Sequence, residues 1–246
     1  MSVRLSVVLV RPKEDGNVGA VARVARNFGA DQLVIVRPRA ELGTEAKRRA
    51  MGGGALLAAA KVVDDFSTAV ADADIVVGTT DLSTGRSASY LRRAVSPERL
   101  GELVRPVEGT VALVFGPEDN GLGREELGRC DLLVHVPARR EFPTLNLSHA
   151  AAIVLYAVHR GRGPSDPEST PAPEVLLMNG WEKEILLKRV EELAAKAGYP
   201  AHKRRGLGLL WRRVLGRSTP TEAEYRMLLG FFKSVDRWAG RSHGGR

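Results

Sequence analysis

Three short stretches of the chain put polar side chains and glycines where chemistry could be done. The first is Gly16-Asn17-Val18-Gly19, followed by Arg23 in a run otherwise rich in Ala and Val. A guanidinium there either lays its stem on apolar surface with its head in solvent, or is held for a purpose. Asn17 is placed to cap the helix that this run predicts. The second stretch is Phe115-Gly116-Pro117-Glu118-Asp119-Asn120-Gly121-Leu122, where an apolar run breaks into a turn. Its glycines permit close backbone approach to a ligand. Glu118 could cap a helix, pair with an arginine or bind substrate, or the segment could be a plain strand–helix connection. The third stretch holds Val134-His135-Val136-Pro137 and then Phe142-Pro143-Thr144-Leu145-Asn146-Leu147-Ser148-His149. Asn146 suits the N-cap of the apolar run that follows. A bent polar backbone beside a helix N-terminus offers donors and acceptors to an adenosine moiety.

Several chemistries are excluded. The first turn is not G-x-G-x-x-G, and the next apolar run closes in Val36-Arg37-Pro38 with no acidic residue, so an ordinary dinucleotide-binding reading fails. A phosphate-binding G-x-x-x-x-G-K-[ST] loop is also missing. Cys130 is the single cysteine, which rules out an intramolecular disulfide and a thiolate metal cluster. The five histidines show no ligand spacing, so no metal is expected.

The elements that must position these residues are legible as an alternation. Strand-like runs cover Leu5–Val10, Gln32–Val36, Asp74–Thr79, Thr110–Phe115 and Leu132–Val136. Helix-like runs cover Val18–Phe28, Glu45–Ala60, Phe66–Ala71, Ser96–Val104, Glu125–Cys130 and Leu147–Arg160. Continuous apolar strands separated by helices predict an open α/β fold whose parallel sheet is covered on both faces, with ligands at the strands' carboxyl ends. Residues 161–173 hold four prolines and no large apolar residue, which predicts an extended linker. Beyond it, Glu174–Ala197, Ala201–Leu215 and Thr221–Trp238 read as helices. The domains are therefore 1–160, a linker at 161–173, and a helical extension at 174–246.

Charge follows this division. Residues 1–173 carry 22 Lys/Arg against 21 Asp/Glu, whereas residues 174–246 carry 15 against 8. A basic appendage on a near-neutral body suits a polyanionic partner, or else a solvated, solubility-promoting face. Lys203, Arg204, Arg205, Arg212, Arg213 and Arg217 fall within 15 residues beside Trp211, and are the candidate contacts for such a polyanion. No run approaches the roughly 18 apolar residues needed to span a membrane. The N-terminus has no secretory pattern. The expected setting is cytoplasmic, without membrane contact.

Together, Asn17-x-Gly19-Ala20-x-x-Arg23, Phe115-Gly116-x-Glu118-x-x-Gly121-Leu122 and Pro143-Thr144-Leu145-Asn146-Leu147 resemble the three motifs of the SpoU–TrmH division of SPOUT RNA methyltransferases, in the right order over residues 1–160. The likeness is to the TrmJ-like branch, in its archaeal form, which methylates the ribose 2′-hydroxyl of nucleotide 32 in the tRNA anticodon loop. Thr144 stands where many relatives have serine, and the hydroxyl is retained. The resemblance implies an α/β-knot fold with a deep C-terminal trefoil knot, and a homodimer whose active sites draw on both subunits. It implies S-adenosyl-L-methionine as cofactor, leaving as S-adenosyl-L-homocysteine, and tRNA as substrate. The cofactor would meet Thr79, Thr80, Asp81, Gly116, Val136, Pro143, Thr144, Leu145 and Asn146. Arg23 would act on the ribose, aided by Asn17 and by Glu118 as its orienting partner. A sibling enzyme acting on ribosomal RNA or another tRNA position, and a catalytically silent RNA-binding protein, are the other readings of the same residues.

Overall fold

A computed structural model describes residues 3–39, 41–80, 94–139, 141–142, 144–161 and 177–242 of the 246. Two compact units divide the chain, Met1–Pro173 and Glu174–Arg246. In the first, the β-branched runs form β1 (Arg4–Val10), β2 (Gln32–Val36), β3 (Lys61–Val63), β4 (Ile75–Thr79), β5 (Thr110–Phe115) and β6 (Leu132–Val134). They make one sheet in the order β3-β2-β1-β5-β4-β6, with every neighbour parallel. The expected parallel α/β sheet is present.

Side chains of one parity, including Val8, Val10, Val34, Val114 and Leu133, pack with Phe66 of α4 (Phe66–Ala69) and Leu127 of α6 (Arg124–Arg129). The opposite parity, Val7, Leu9, Ile35, Leu113 and Phe115, is equally buried. Helix α7 (Leu147–Gly161) packs against both α1 (Asp15–Asn27) and α5 (Pro97–Val104). Burial on both faces is why these strands read as unbroken apolar runs.

The amino edge of the sheet has a repeated device. Asp31, Asp74 and Asp131 each stand immediately before a strand and bond twice to one residue of the neighbouring strand. Asp31 donates its N–H to the Leu5 carbonyl (2.9 Å) and accepts from the Leu5 amide (2.7 Å). Asp74 does the same with Thr110 (2.9 and 2.9 Å), and Asp131 with Val76 (2.8 and 2.7 Å). These clamps join β2 to β1, β4 to β5 and β6 to β4. A one-residue slip would turn each strand's apolar set to the other face, and it would also break both bonds of a clamp.

The helix expected over 45–60 is instead α2 (Thr44–Ala50), a 3-10 turn (Met51–Gly53) and α3 (Gly54–Ala58), followed by β3. The chain breaks at Met51, whose φ is 45°, and Gly52-Gly53-Gly54 has little helix propensity to resist the break. β6 stops at Val134, two residues short of expectation, but a parallel bridge pairs Val134 with Val95. The expected linker lies almost wholly outside the described residues.

The second unit consists of α8 (Gly180–Lys196), α9 (Ala201–Ser218) and α10 (Glu222–Ser242). Asn179 and Glu182 form a reciprocal capping box that starts α8. Leu186, Leu187, Val190, Leu215, Tyr225 and Phe232 make the core. Trp211 packs edge-on to Phe232, with ring centroids 5.8 Å apart. No helix among the described residues is long and apolar enough to cross a membrane.

Candidate active site

β1 and β5 are neighbours, so the turns leaving their carboxyl ends face each other. From the β5 turn, Glu118 reaches the β1–α1 turn and accepts from the amides of Lys13 (2.9 Å) and Glu14 (3.3 Å) and from Asn17 Nδ2 (2.9 Å). Asn17 is only 3% exposed, and its Oδ1 accepts from Asn146 Nδ2 at 3.1 Å. Asn146 in turn caps α7, its Oδ1 accepting from the Ser148 amide at 2.8 Å. One chain of bonds, Asn146 to Asn17 to Glu118, thus ties together three segments that are far apart in sequence.

Two expectations change here. Asn17 is not the N-cap of α1: Glu14 holds that position without a side-chain bond, and Asn17 lies inside the first turn. The acceptor for the incoming amides comes from Glu118, across the sheet. Glu118 therefore orients the β1–α1 turn and Asn17, and among the described residues no hydrogen bond or ion pair joins it to Arg23. Burial works most strongly on the Glu118 carboxyl, raising its pKa. The donors Asn17 Nδ2 and the Lys13, Glu118 and Glu14 amides together outweigh it and hold the pKa below the usual value.

Arg23 lies six residues beyond Asn17 on α1 and is exposed. It lines a groove of about 450 Å³ with Arg48, Arg49, Met51, Ser148 and His149. Arg48 and Arg49 are both paired with Glu45, at 2.7 and 2.6 Å. Hydrogen bonds from those two guanidiniums lower the Glu45 pKa to about 2. Arg23 has no such acid among the described residues, so its charge is left for whatever enters. Gly19, between Asn17 and Arg23, lets α2 close on α1: a Cβ there would sit 2.0 Å from the Ala46 carbonyl oxygen.

The residues expected to meet a cofactor emerge at the carboxyl ends of adjacent strands. Thr79 and Thr80 end β4, Gly116 follows β5 and Val136 follows β6; Thr144, Leu145 and Asn146 precede α7. The Thr80 amide donates to the Val134 carbonyl (3.0 Å), and His135 Nδ1 lies 3.1 Å from the Thr80 carbonyl, which draws the β4 and β6 ends together. Hydroxyls, backbone groups and two aliphatic side chains suit a neutral purine nucleoside better than a metal or a polyphosphate. Asp81 and Pro143 lie outside the described residues. Gly116 is more than a pocket wall: a Cβ there would stand 2.2 Å from the Gly121 carbonyl carbon. Any side chain at 116 breaks the turn that carries Glu118.

The basic cluster of α9 separates in the structure. Lys203, Arg205 and Arg217 are exposed. Arg204 Nε donates to the Tyr199 carbonyl (2.9 Å), and Arg212 pairs with Glu184 (2.7 Å). Arg213 is 4% exposed, inside the unit, and cannot serve as the RNA contact expected of it. Sequence reasoning missed Arg48, Arg49, Ser148 and His149 as groove residues. The adjacency of Ser148-His149 to Asn146 was the only available signal.

A parallel α/β sheet with three polar turns converging at its carboxyl edge is the arrangement of an α/β enzyme with its ligand site at the strand ends. Residues 4–156 match the model of the SpoU rRNA Methylase family, and the chain belongs to that family. It is 33% identical over 234 residues to the tRNA (cytidine-2′-O-)-methyltransferase TrmJ of Methanocaldococcus jannaschii, covering 95% of this chain and 100% of that one. It is 32% identical over 248 residues to the tRNA (cytidine/uridine/adenosine-2′-O-)-methyltransferase TrmJ of Pseudomonas aeruginosa, covering 96% and 95%. The crystal structure of TrmJ from Z. mobilis ZM4 superposes with a TM-score of 0.69 at 27% identity, covering 94% of this chain and 98% of that chain.

Proposed function

We propose that this protein methylates a ribose 2′-hydroxyl of tRNA, at nucleotide 32 of the anticodon loop, on cytidine and uridine. The observation that carries the reading is the Asn146–Asn17–Glu118 chain, which links the three motif segments to the helix of Arg23, a cation paired with no acid among the described residues. Full-length likeness to tRNA 2′-O-methyltransferases supports it.

In this reading Thr79, Thr80, Asp81, Gly116, Val136, Pro143, Thr144 and Leu145 hold S-adenosyl-L-methionine. When bound, it supplies a methyl group activated by its positive sulfur. Asn146 holds the α7 end of that pocket against Asn17. Glu118 fixes the turn from which α1 departs, and so fixes the direction of Arg23. A guanidinium keeps its proton too firmly to serve as a base. Arg23 instead stabilises charge developing on the ribose oxygen or grips the adjacent phosphate, which aligns the oxygen for in-line attack. Residues 1–160 carry the chemistry, 161–173 link, and 174–246 add a basic surface for tRNA, with Lys203 and Arg205 as contacts.

A deep trefoil knot in the C-terminal part of the catalytic domain and a homodimer belong to the same proposal. Bonds from the Val95 amide to Leu133 and from the His135 amide to Val95 lay residue 95 alongside β6. Tyr156, 52% exposed and ring-packed on Phe28 5.9 Å away, joins Ile153 in an apolar face on α7 that suits a second copy. In such a dimer Arg23 serves the cofactor of the partner.

The test is Arg23→Met. Methyl transfer to a tRNA transcript should fall by orders of magnitude, about 10²-fold or more, while calorimetric cofactor affinity stays unchanged. Mixing that chain with a cofactor-site variant should restore activity, because one of the two composite sites is then intact. Confirmed heterodimers with no restored activity would sink the shared site, and an Arg23→Met enzyme as fast as the wild type would sink the assignment of Arg23.

A further inference from the structure

β1 and β2 end alike. β1 runs into Val10-Arg11-Pro12-Lys13 and β2 into Val36-Arg37-Pro38-Arg39. In both, the arginine leaves the strand in the left-handed region, with φ of 50° at Arg11 and 45° at Arg37. A side chain longer than that of Gly, Asn or Asp is strained there, and such strain persists where its surroundings enforce it, often at functional sites. The surroundings do enforce it. The Arg11 amide donates to the Val36 carbonyl (2.7 Å) and the Arg37 amide to the Val63 carbonyl (3.0 Å). The Arg39 amide donates to the Pro12 carbonyl at 2.9 Å, which fastens the second turn to the first. The first turn is the one that Glu118 holds.

The four cations differ in what neutralises them. Arg11 pairs with the buried Glu126 at 2.8 Å, and Lys13 pairs with Asp119. Arg37 donates from Nε to the backbone carbonyl of Asp64, a bond that aims the guanidinium without cancelling its charge. Arg39 lies close enough to Asp119 to influence it, but that carboxylate is already bonded by Lys13. No acid among the described residues pairs with Arg37 or Arg39, and both are exposed. They stand on the β2 side of β1, whereas the proposed cofactor residues stand on the side of β5, β4 and β6. At about 4.8 Å between strands, the β2 end is about 10 Å from the β5 end.

We propose that Arg37 and Arg39 are a preset grip for RNA backbone phosphates flanking the ribose that is methylated, so that the substrate crosses the carboxyl edge from the cofactor side to the β2 side. The inference rests on the RNA-methylation reading, but its test is a binding measurement that does not. The variants are Arg37→Asn with Arg39→Gln, since Asn tolerates the left-handed backbone and the fold is kept. Binding of an unmodified tRNA transcript to the full chain is followed by fluorescence anisotropy across a salt series. Losing two phosphate contacts should lower the slope of log affinity against log salt by about 1.4–1.8, from about 0.7–0.9 per contact. In turnover, KM for tRNA should rise about tenfold or more with kcat nearly unchanged, the sign of lost uniform binding. Arg37→Gly should melt no lower than the wild type, because it relieves the strain, yet lose its share of the slope. An unaltered slope and affinity in the double variant overturns the grip, as does a fall in kcat with KM unmoved. A wild-type protein that binds tRNA but transfers no methyl group would refute the catalytic reading, leaving the salt slope to decide the grip.

Discussion

Replacing Glu118 with alanine tests whether the contact between the β5 and β1 turns holds the site together. The carboxylate accepts from Lys13 N (2.9 Å), Glu14 N (3.3 Å) and Asn17 Nδ2 (2.9 Å). The two turn amides are near solvent and can rebond to water, at a cost of about 0.5 kcal/mol each. Asn17 is buried, and its Nδ2 would keep only the long 3.4 Å approach to Glu14. Stranding such a donor costs about 1–3 kcal/mol. The sum is about 2–4 kcal/mol, which lowers the melting temperature by about 4–16 °C for a domain of this size. Thermal unfolding at neutral pH, with methyl transfer measured beside it, is the assay. The pH dependence has a definite sign. The folded pKa of Glu118 is depressed, so its stabilisation is complete above the ordinary glutamate pKa of about 4.3 and disappears as pH falls through the lower folded value. The gap between wild type and variant should be constant near neutrality and close on acidification. A Glu118→Ala protein melting within about 1 °C of the wild type, where 1 kcal/mol alone moves Tm by 2–4 °C, would refute the reasoning.

Gly19→Ala should destabilise although alanine favours helices by about 1 kcal/mol, because the new methyl meets the Ala46 carbonyl at 2.0 Å. The urea midpoint should drop by the equivalent of about 1–3 kcal/mol with an unchanged m value; a rise would mean that α2 yields freely. Trp211→Ala removes the ring packed on Phe232 at 5.8 Å and should cost about 3 kcal/mol. Amide exchange should report it as lost protection in α9 and α10, and unchanged protection there would contradict the core as described.

The central strands were legible because burial on both faces leaves unbroken apolar runs such as Val111 to Phe115. β3 was not, since Lys61-Val62-Val63 is short and its first two residues are exposed. The three motif segments could be picked out by residue type, but not the bonds between them. Glu118 lies 101 positions from Asn17 and Asn146 lies 129, and no local spacing encodes such a contact. That distance is also why Asn17 reads as a cap in sequence: the acceptor that supplants it comes from another strand. Arg213 shows the converse limit. Among six neighbouring cations, sequence cannot say which one faces inward.

The aspartate clamps at Asp31, Asp74 and Asp131 sit at the opposite edge of the sheet from the turns that follow β1, β4, β5 and β6. Strand alignment is therefore enforced at the amino edge, away from the proposed site, and the turns after β1, β5 and β6 are relieved of that task. Insertions, deletions or wholesale exchange of those turns can alter which ribose is recognised without letting the strands slide. The scaffold is in this respect evolvable from one edge only. Transplanting the 116–122 and 135–146 segments from a methyltransferase of different target preference should leave folding intact, whereas the conservative Asp131→Asn change, at a site 1% exposed, should be felt through the whole sheet.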